Sequence, residues 1–534
     1  MKYPVIFSIL FFCLLLHEES YSQTDTTVQK IISIAKSDNQ TMKHLDVLCN
    51  GFGGRITGSD ACENAENWAA DQFRKWGMEA ILDEAGALPV GFNRGPWSGK
   101  LLAENGMNLH FATPSYTSGT KGVQRGHVVT EPKTWREFNR MKGKLKGAWV
   151  LISGKSDGFP VDFSMKADSL RKAIVTENEL IEKKNDSIRR LNWENRKTGK
   201  EIELLPMKEE PALFYKEMVE AGILGIIQSA PVPISALYDR KNLEKLSFDN
   251  LPKVPDIKLD ENQYKIIEQM AKERRYFELE FDIRNHFKPG PVKYHNVIGV
   301  IPGTEFPDEY VIMGGHLDSY DVATGCNDNG SGVAPAMEAA RLIMAAGGKP
   351  KRTILVCLWA AEEFGLWGST SWVERNPEKL NKIANMFNKD GGTTVPTSIS
   401  VSDSMWNDME KICQPLLDTI HPDFPFKMVK REPRPKPDKP SGTDSGPFAV
   451  KGVPTMQFGT EDIKGYNFSY GEIWHTERDS YNLIIPEYLE HTAVLTAIVV
   501  YGISNLDHLL SRAGYYSESK PIEKVSESSK KKTK

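Results

Sequence analysis

Three short apolar runs in the second half of the chain each stop on ionisable residues. That pattern constrains the fold more than any other feature. "EYVIMGG" (309–315) is followed by His316, Leu317 and Asp318, "TILVCLWAA" (353–361) by Glu362 and Glu363, and "IANMFNK" (383–389) by Asp390. Apolar runs of this length bounded by glycine or polar residues are buried strands. "HNVIGVIPG" (295–303) and "VPTMQFG" (453–459) read the same way, giving five strands. Between them "SGVAPAMEAARLIMAAGG" (331–348) has the spacing of an amphipathic helix ended by Gly347 and Gly348, and a last helix starts at Pro486, a favoured first helical position. Strands alternating with helices predict an α/β fold: a mainly parallel sheet with helices on both faces.

In open α/β sheets the ligand site lies beyond the carboxyl ends of the strands. His316, the glutamate pair and Asp390 therefore converge, and Asp328 in "GCNDNGSG" (325–332) and His475 in "EIWHTERDS" (472–480) join them. Two adjacent glutamates, or a His-x-Asp, are ordinary surface features when met singly. Four acids in one cleft repel, and the cluster contains no lysine or arginine, so the missing charge is that of a divalent cation. Two histidines among carboxylates, with no cysteine, favour zinc, with manganese and cobalt also compatible. Five ligands exceed the three protein groups of one catalytic zinc, so two metals sharing a carboxylate fit better. One of the adjacent glutamates then binds metal while its neighbour stays free as general base to a water. Asp318, two residues after His316, is placed to orient the imidazole.

The rest of the chain sets the context. Its 534 residues exceed one ordinary core, so two folded domains are expected. Lys2, the apolar run Val5–Leu16 and the small residues near Ser20–Ser22 form a signal peptide over 1–22, which predicts a secreted or periplasmic protein. The run is too short to span a bilayer comfortably, so no stable membrane anchor is expected. A net charge of -4 gives no basic field for nucleic acid. Cys49, Cys62, Cys326, Cys357 and Cys413 remain after cleavage, an odd set that is no disulfide framework, and the sequence leaves open whether Cys49 and Cys62 pair. Ala65, Trp68, Ala69, Phe73 and Trp76 mark a helix stopped by Gly77, with a strand after it. Residues 96–290 differ in character: "GAWVLISG" (147–154) and "GILGIIQSA" (222–230) are strands around a charged, solvated helical excursion near 160–210. From 511 to 534 the chain lacks core-forming residues and reads as a disordered tail.

"GGHLDS", "NDNGSGV", "WAAEEFGLWGS", "MFNKDGG" and "WHTERDS" resemble, in order, the motifs of the co-catalytic di-zinc exopeptidases, which include leucyl aminopeptidases and glutamate carboxypeptidases. "GHLDSYDV", "PKRTILVCLWAAEE" and "SGTDSGPF" point to the plasma type of glutamate carboxypeptidase as the nearest branch, and "GGRITGSDACENAENWAADQF" (53–73) resembles the family's amino-terminal segment. The resemblance implies two Zn2+ per chain, one held by His316, Asp328 and Asp390, the other by Asp328, Glu363 and His475, with Asp328 bridging. It makes Glu362 the general base and Asp318 the residue that orients the His316 ligand. Asp403 and Asp408 also lie downstream, but "MFNKDGG" matches the family segment, which selects Asp390. It implies a peptidase domain over 23–95 and 291–510, and a protease-associated-like insertion over 96–290. It further implies hydrolysis of a terminal peptide bond next to a free amino group in short peptides or dipeptides; a homodimer is compatible with it. Thr443 and Asp444 follow a proline-rich basic stretch and are expected at the cleft. Tyr466, Phe468, Tyr470 and Trp474 are candidates for a side-chain pocket, though packing against the sheet explains these aromatics equally well. Two other readings compete. A single-zinc acyltransferase related to glutaminyl cyclase should lack the full ligand set, and a non-catalytic binding relative should have lost ligands or the base.

Overall fold

The computed structural model describes residues 26–517, except 197–198, 239, 244–245, 420–422 and 441. The expected signal peptide lies outside the described residues. Helix α1 (Asp60–Lys75) starts where Ser59 caps the Cys62 amide and stops before Gly77, whose φ of 82° suits only glycine without strain. It buries Ala65, Ala69, Ala70 and Phe73 against the sheet, as the spacing predicts. The chain then enters β1 (Glu79–Asn93), and later β2 (His286–Ile301), β3 (Phe306–His316), β4 (Arg352–Trp359) and β5 (Ile383–Asn388).

The five strands form one sheet in the order β1-β2-β4-β3-β5. It is mixed rather than mainly parallel: β4, β3 and β5 run parallel, while β1 pairs antiparallel with β2 and β2 antiparallel with β4. The physical reason is the short connection Pro302–Glu305 after β2. A parallel return needs a crossover of a dozen or so residues. The "VPTMQFG" run also falls elsewhere. Only its end is a strand, Phe458–Glu461, in a separate three-stranded sheet with Val395–Val401 and Lys427–Lys430. The strands that end on ionisable residues are nonetheless the three parallel ones. Helix α2 (Ser331–Ala345) is buried on all sides from Ser331 to Ile343, not amphipathic, because α3 (Pro486–Ser504) and the helix Thr41–Asp46 cover the face turned from the sheet.

A second sheet of eight strands is built wholly from residues 97–283. The charged excursion is a helix, Met165–Asn195, and it is tied down by amides rather than simply solvated. Asn178, Asn185 and Asn192 each accept from the backbone N–H, and donate to the C=O, of one residue in the returning strap: Lys208, Leu205 and Ile202 respectively. The expectation of disorder from 511 is corrected for 511–517: Tyr515 is fully buried, Arg512 donates to the Leu380 carbonyl, and Tyr516–Ser517 pairs with Arg434–Pro435. Aromatic burial outweighs the polar composition there. All the non-leader cysteines are free, and Cys49 and Cys62 do not pair. Among the described residues no helix is long and apolar enough to cross a membrane.

The loop from β3 to α2 is organised by a residue outside it. Arg55 is fully buried and forms no ion pair among the described residues. Its guanidinium donates to the carbonyls of Leu317, Thr324, Gly325, Gly53 and Leu48. Its own amide is held by Ser319 Oγ at 3.0 Å. Only a planar fork of donors spans carbonyls from both ends of one loop. Arg55→Lys is expected to lower unfolding free energy by roughly 2–4 kcal/mol, since several buried carbonyls lose partners; urea unfolding followed by tryptophan fluorescence measures it.

Candidate metal centre

His316 is the last residue of β3 and sits beside Trp359, the last of β4. Ala361, at a left-handed φ of 53°, then turns the chain so that Glu362 and Glu363 follow at the strand's carboxyl end. Asp390 follows β5, Asp328 lies in the loop entering α2, and His475 follows the short helix Tyr470–Ile473. The five expected ligands meet. His316 Nε2 lies 3.2 Å from Asp328 Oδ1 and 3.3 Å from Asp390 Oδ1. His475 Nε2 lies 3.1 Å from Asp328 Oδ2 and 3.1 Å from Glu363 Oε2. Asp328 thus turns one oxygen to each imidazole. In each triplet, His316–Asp328–Asp390 and Asp328–Glu363–His475, the donor atoms lie within 4.8 Å of one another.

Several neighbours set these positions. The Asp318 carbonyl, not its carboxylate, holds His316 Nδ1, at 3.0 Å against 3.7 Å. The carboxylate instead accepts from the amides of Glu362 (3.1 Å) and Glu363 (3.3 Å) and from Thr57 Oγ1 (3.0 Å), so Asp318 fixes the glutamate turn as well as the ring. Asp479 had no signal in the spacing arguments. Its carboxylate accepts from the amides of Asn327 (2.6 Å) and Asp328 (3.0 Å). The signal available was its place four residues after His475 in "HTERDS". His475 itself adopts a left-handed φ of 58°, which costs about 1–3 kcal/mol outside glycine and persists only where surroundings enforce it. Trp474 stacks on its ring at 3.9 Å and Tyr320 meets its edge at 4.6 Å.

With the cluster's own charges alone, the acids are crowded. Burial pushes Glu362 up to about 10, aided by Glu363, Asp444 and Asp390 against the pull of His316. Burial raises Glu363 to about 7, with Asp328 adding to it. For His475 burial opposes the charged ring, yet Glu363 and Asp328 carry it up to about 10. Burial likewise opposes charge on Asp328, but hydrogen bonds from both imidazoles hold it well below the usual carboxylate range. Among the described residues the buried Glu363 Oε1 has no hydrogen-bond partner. Acids that must otherwise take up protons, an orphaned carboxylate oxygen and a donor set of nitrogen and oxygen fit divalent cations such as zinc.

The four expected substrate residues divide. Tyr470 reaches the centre, its phenol lying against Gly391 beside Asp390. Asp444 is fully buried beneath the cluster, where burial raises it to about 7, so it cannot line the cleft as expected. Thr443 accepts from Asn388 Nδ2 at 2.7 Å. Tyr466 turns to Glu487 (2.7 Å) and Tyr488 rather than to the ligands. A cavity of ≈ 170 Å³ opens beside Asp390, lined by Met313, Phe387, Pro396, Gln457, Phe458 and Thr460 among others.

Fold and site together define a metallopeptidase of the zinc class. Residues 296–500, which carry every ligand candidate, match the model of Peptidase family M28. Over 509 residues the chain is 25% identical to carboxypeptidase Q of Mus musculus, covering 93% of each chain, and it is 26% identical to that of Rattus norvegicus over 93% and 92%. Among solved structures it resembles an M28 peptidase precursor from Shewanella amazonensis (TM-score 0.55, 19% identity, 92% of this chain and 99% of that one). It also resembles a zinc aminopeptidase from Bacillus subtilis (TM-score 0.50, 17% identity, 91% and 98%). Those two likenesses are of fold.

Asp479→Asn leaves a single acceptor for two amides. We expect kcat/KM to fall about 10–100-fold, the usual loss when a residue supporting a ligand is changed. Far-UV circular dichroism should be unaltered.

Proposed function

We propose that the protein is a zinc-dependent exopeptidase that hydrolyses the amino-terminal peptide bond of short peptides or dipeptides. The observation that carries this is Asp328, one oxygen toward each histidine, flanked by Asp390 on one side and Glu363 on the other. His316, Asp328 and Asp390 would hold one zinc, and Asp328, Glu363 and His475 a second. When bound, zinc makes a water acidic and polarises a carbonyl. Glu362 is the group left to move a proton. Its carboxylate makes no hydrogen bond or ion pair among the described residues, and its backbone is held by Asp318. It takes the proton of the attacking water and passes it to the departing amine. Tyr470 offers a phenol beside Asp390 to the developing oxyanion.

The preference for an amino terminus follows from charge. Asp318, Asp328, Glu362, Glu363, Asp390, Asp444 and Asp479 lie in or around the centre. The nearby cation, Lys389, spends its ammonium on the Gly391 carbonyl at 2.9 Å. Seven ionised carboxylates exceed the four charges of two bound divalent cations, so the loaded site stays net negative and attracts a free ammonium over a free carboxylate. The cavity beside Asp390 supplies room for a side chain. The relatives' name, carboxypeptidase, favours a second reading in which the carboxyl end is recognised; for a dipeptide both readings cut the same bond. Residues 96–290 we read as a protease-associated-like insertion, and the expected leader as export from the cytoplasm. A single-zinc acyltransferase or a receptor fits less well, because all the ligands and the base are present.

The deciding experiment is a panel of dipeptides, amino-acid amides and tripeptides. Amides with a free amino group should be cleaved and amino-blocked peptides refused; the reverse would establish the carboxypeptidase reading. Glu362→Gln should lower kcat by at least about 10³-fold. Zinc measured by plasma mass spectrometry should stay near wild type, and loss of an ion instead would make Glu362 a ligand and Glu363 the base.

A further inference from the structure

Alternate residues of the loop after Trp474 face three different parts of the molecule. His475 faces the metal cluster, Glu477 the second sheet and Asp479 the backbone of Asn327 and Asp328. The Glu477 contact is bidentate in the backbone sense: its amide donates to the Ile234 carbonyl at 3.0 Å and its Oε1 accepts from the Ile234 amide at 3.0 Å. Oε2 lies 2.7 Å from His110 Nε2, and the other ring nitrogen of His110 lies 3.2 Å from Asp260 Oδ2. His110 is itself fastened by backbone, its amide donating to Gln263 Oε1 (2.7 Å) and its carbonyl accepting from the Asp260 amide (3.0 Å). Thr476, between the ligand and the clamp, forms a β-bridge with Ser235. Next to these contacts Val322, on the loop that leads to Asp328, packs on Ala112, Ala230, Ile234 and Ala236 of the second sheet unit.

We propose that Glu477 is a positioning residue through which the second sheet unit sets His475, and so sets how tightly the His475 half of the centre holds its ion. The inference rests on the reading that the cluster binds two cations. His475 keeps a left-handed backbone that an isolated loop would abandon. The residues directly after it are held by Ile234, Ser235 and His110, all from the second unit. Freed of the Glu477 carboxylate, the loop keeps its main-chain contacts to Ile234 and Ser235 and the ring keeps Trp474 and Tyr320, but the side-chain clamp on the Ile234 amide and His110 is lost. The His316 half shares Asp328 but draws its other supports from the Asp318 carbonyl and the strand ends, and so is changed less. An ordinary contact between two units would affect stability as a whole and would not single out one ion.

The test uses the full chain. Zinc affinities are measured stepwise by competition with a chromogenic chelator, zinc content by plasma mass spectrometry, and the thermal midpoint alongside. Glu477→Ala should weaken one of two ions about 10–100-fold and the other by at least about tenfold less. His110→Ala should shift the same ion by less. Glu477→Gln keeps an acceptor for the Ile234 amide and should restore most of the affinity. Two ions bound by Glu477→Ala with wild-type affinities would overturn the proposal. So would weakening of both ions in step with a fall in thermal midpoint. A wild-type chain that takes up fewer than two ions would overturn the two-cation reading, and this proposal with it, whatever the variants do.

Discussion

The carboxylate of Asp328, shared between two imidazoles, is the interaction on which the rest of the site depends. It is buried, and it keeps its charge because His316 and His475 approach from opposite oxygens. Everything around it acts to hold that arrangement. The Asp479 carboxylate grips the amides of Asn327 and Asp328, Arg55 gathers the carbonyls at both ends of the preceding loop, and Asp318 joins the His316 ring to the glutamate turn. These supports come from the amino-terminal segment, the sheet and the loop near the carboxyl end. The centre is therefore a product of the whole chain's topology and not of one local motif.

Much of this is legible in the sequence because the informative residues stand at strand ends. An apolar run stopped by His316, by Glu362 and Glu363, or by Asp390 announces both a strand and the chemistry beyond it, and the three such runs are the parallel ones. The error over sheet direction has a local cause: apolar composition reports burial and says nothing of orientation, which the short link Pro302–Glu305 decides. Helix α2 departs from the amphipathic expectation for a related reason. Its small residues permit close approach from every side, so a pattern taken as one apolar stripe belongs to a helix enclosed by neighbours.

The residues that escaped the sequence reading act through backbone groups. Arg55 serves carbonyls and Asp479 serves amides. Side-chain pairing can be guessed from charge and spacing, whereas a carbonyl or amide looks the same at every position. Tyr515 shows the same limit at the tail, where one buried ring among polar residues keeps 511–517 in the fold.

The asparagine comb on the long helix carries a consequence for how that region can vary. Teeth seven residues apart on a helix rise about 10.5 Å. The strap residues they grasp are three apart in an extended chain, about 10 Å. The two rulers agree, and the comb reads only main chain. The identity of most strap side chains is thereby released from the needs of folding, so this stretch is free to drift, or to be rewritten by design, as long as Asn178, Asn185 and Asn192 are kept.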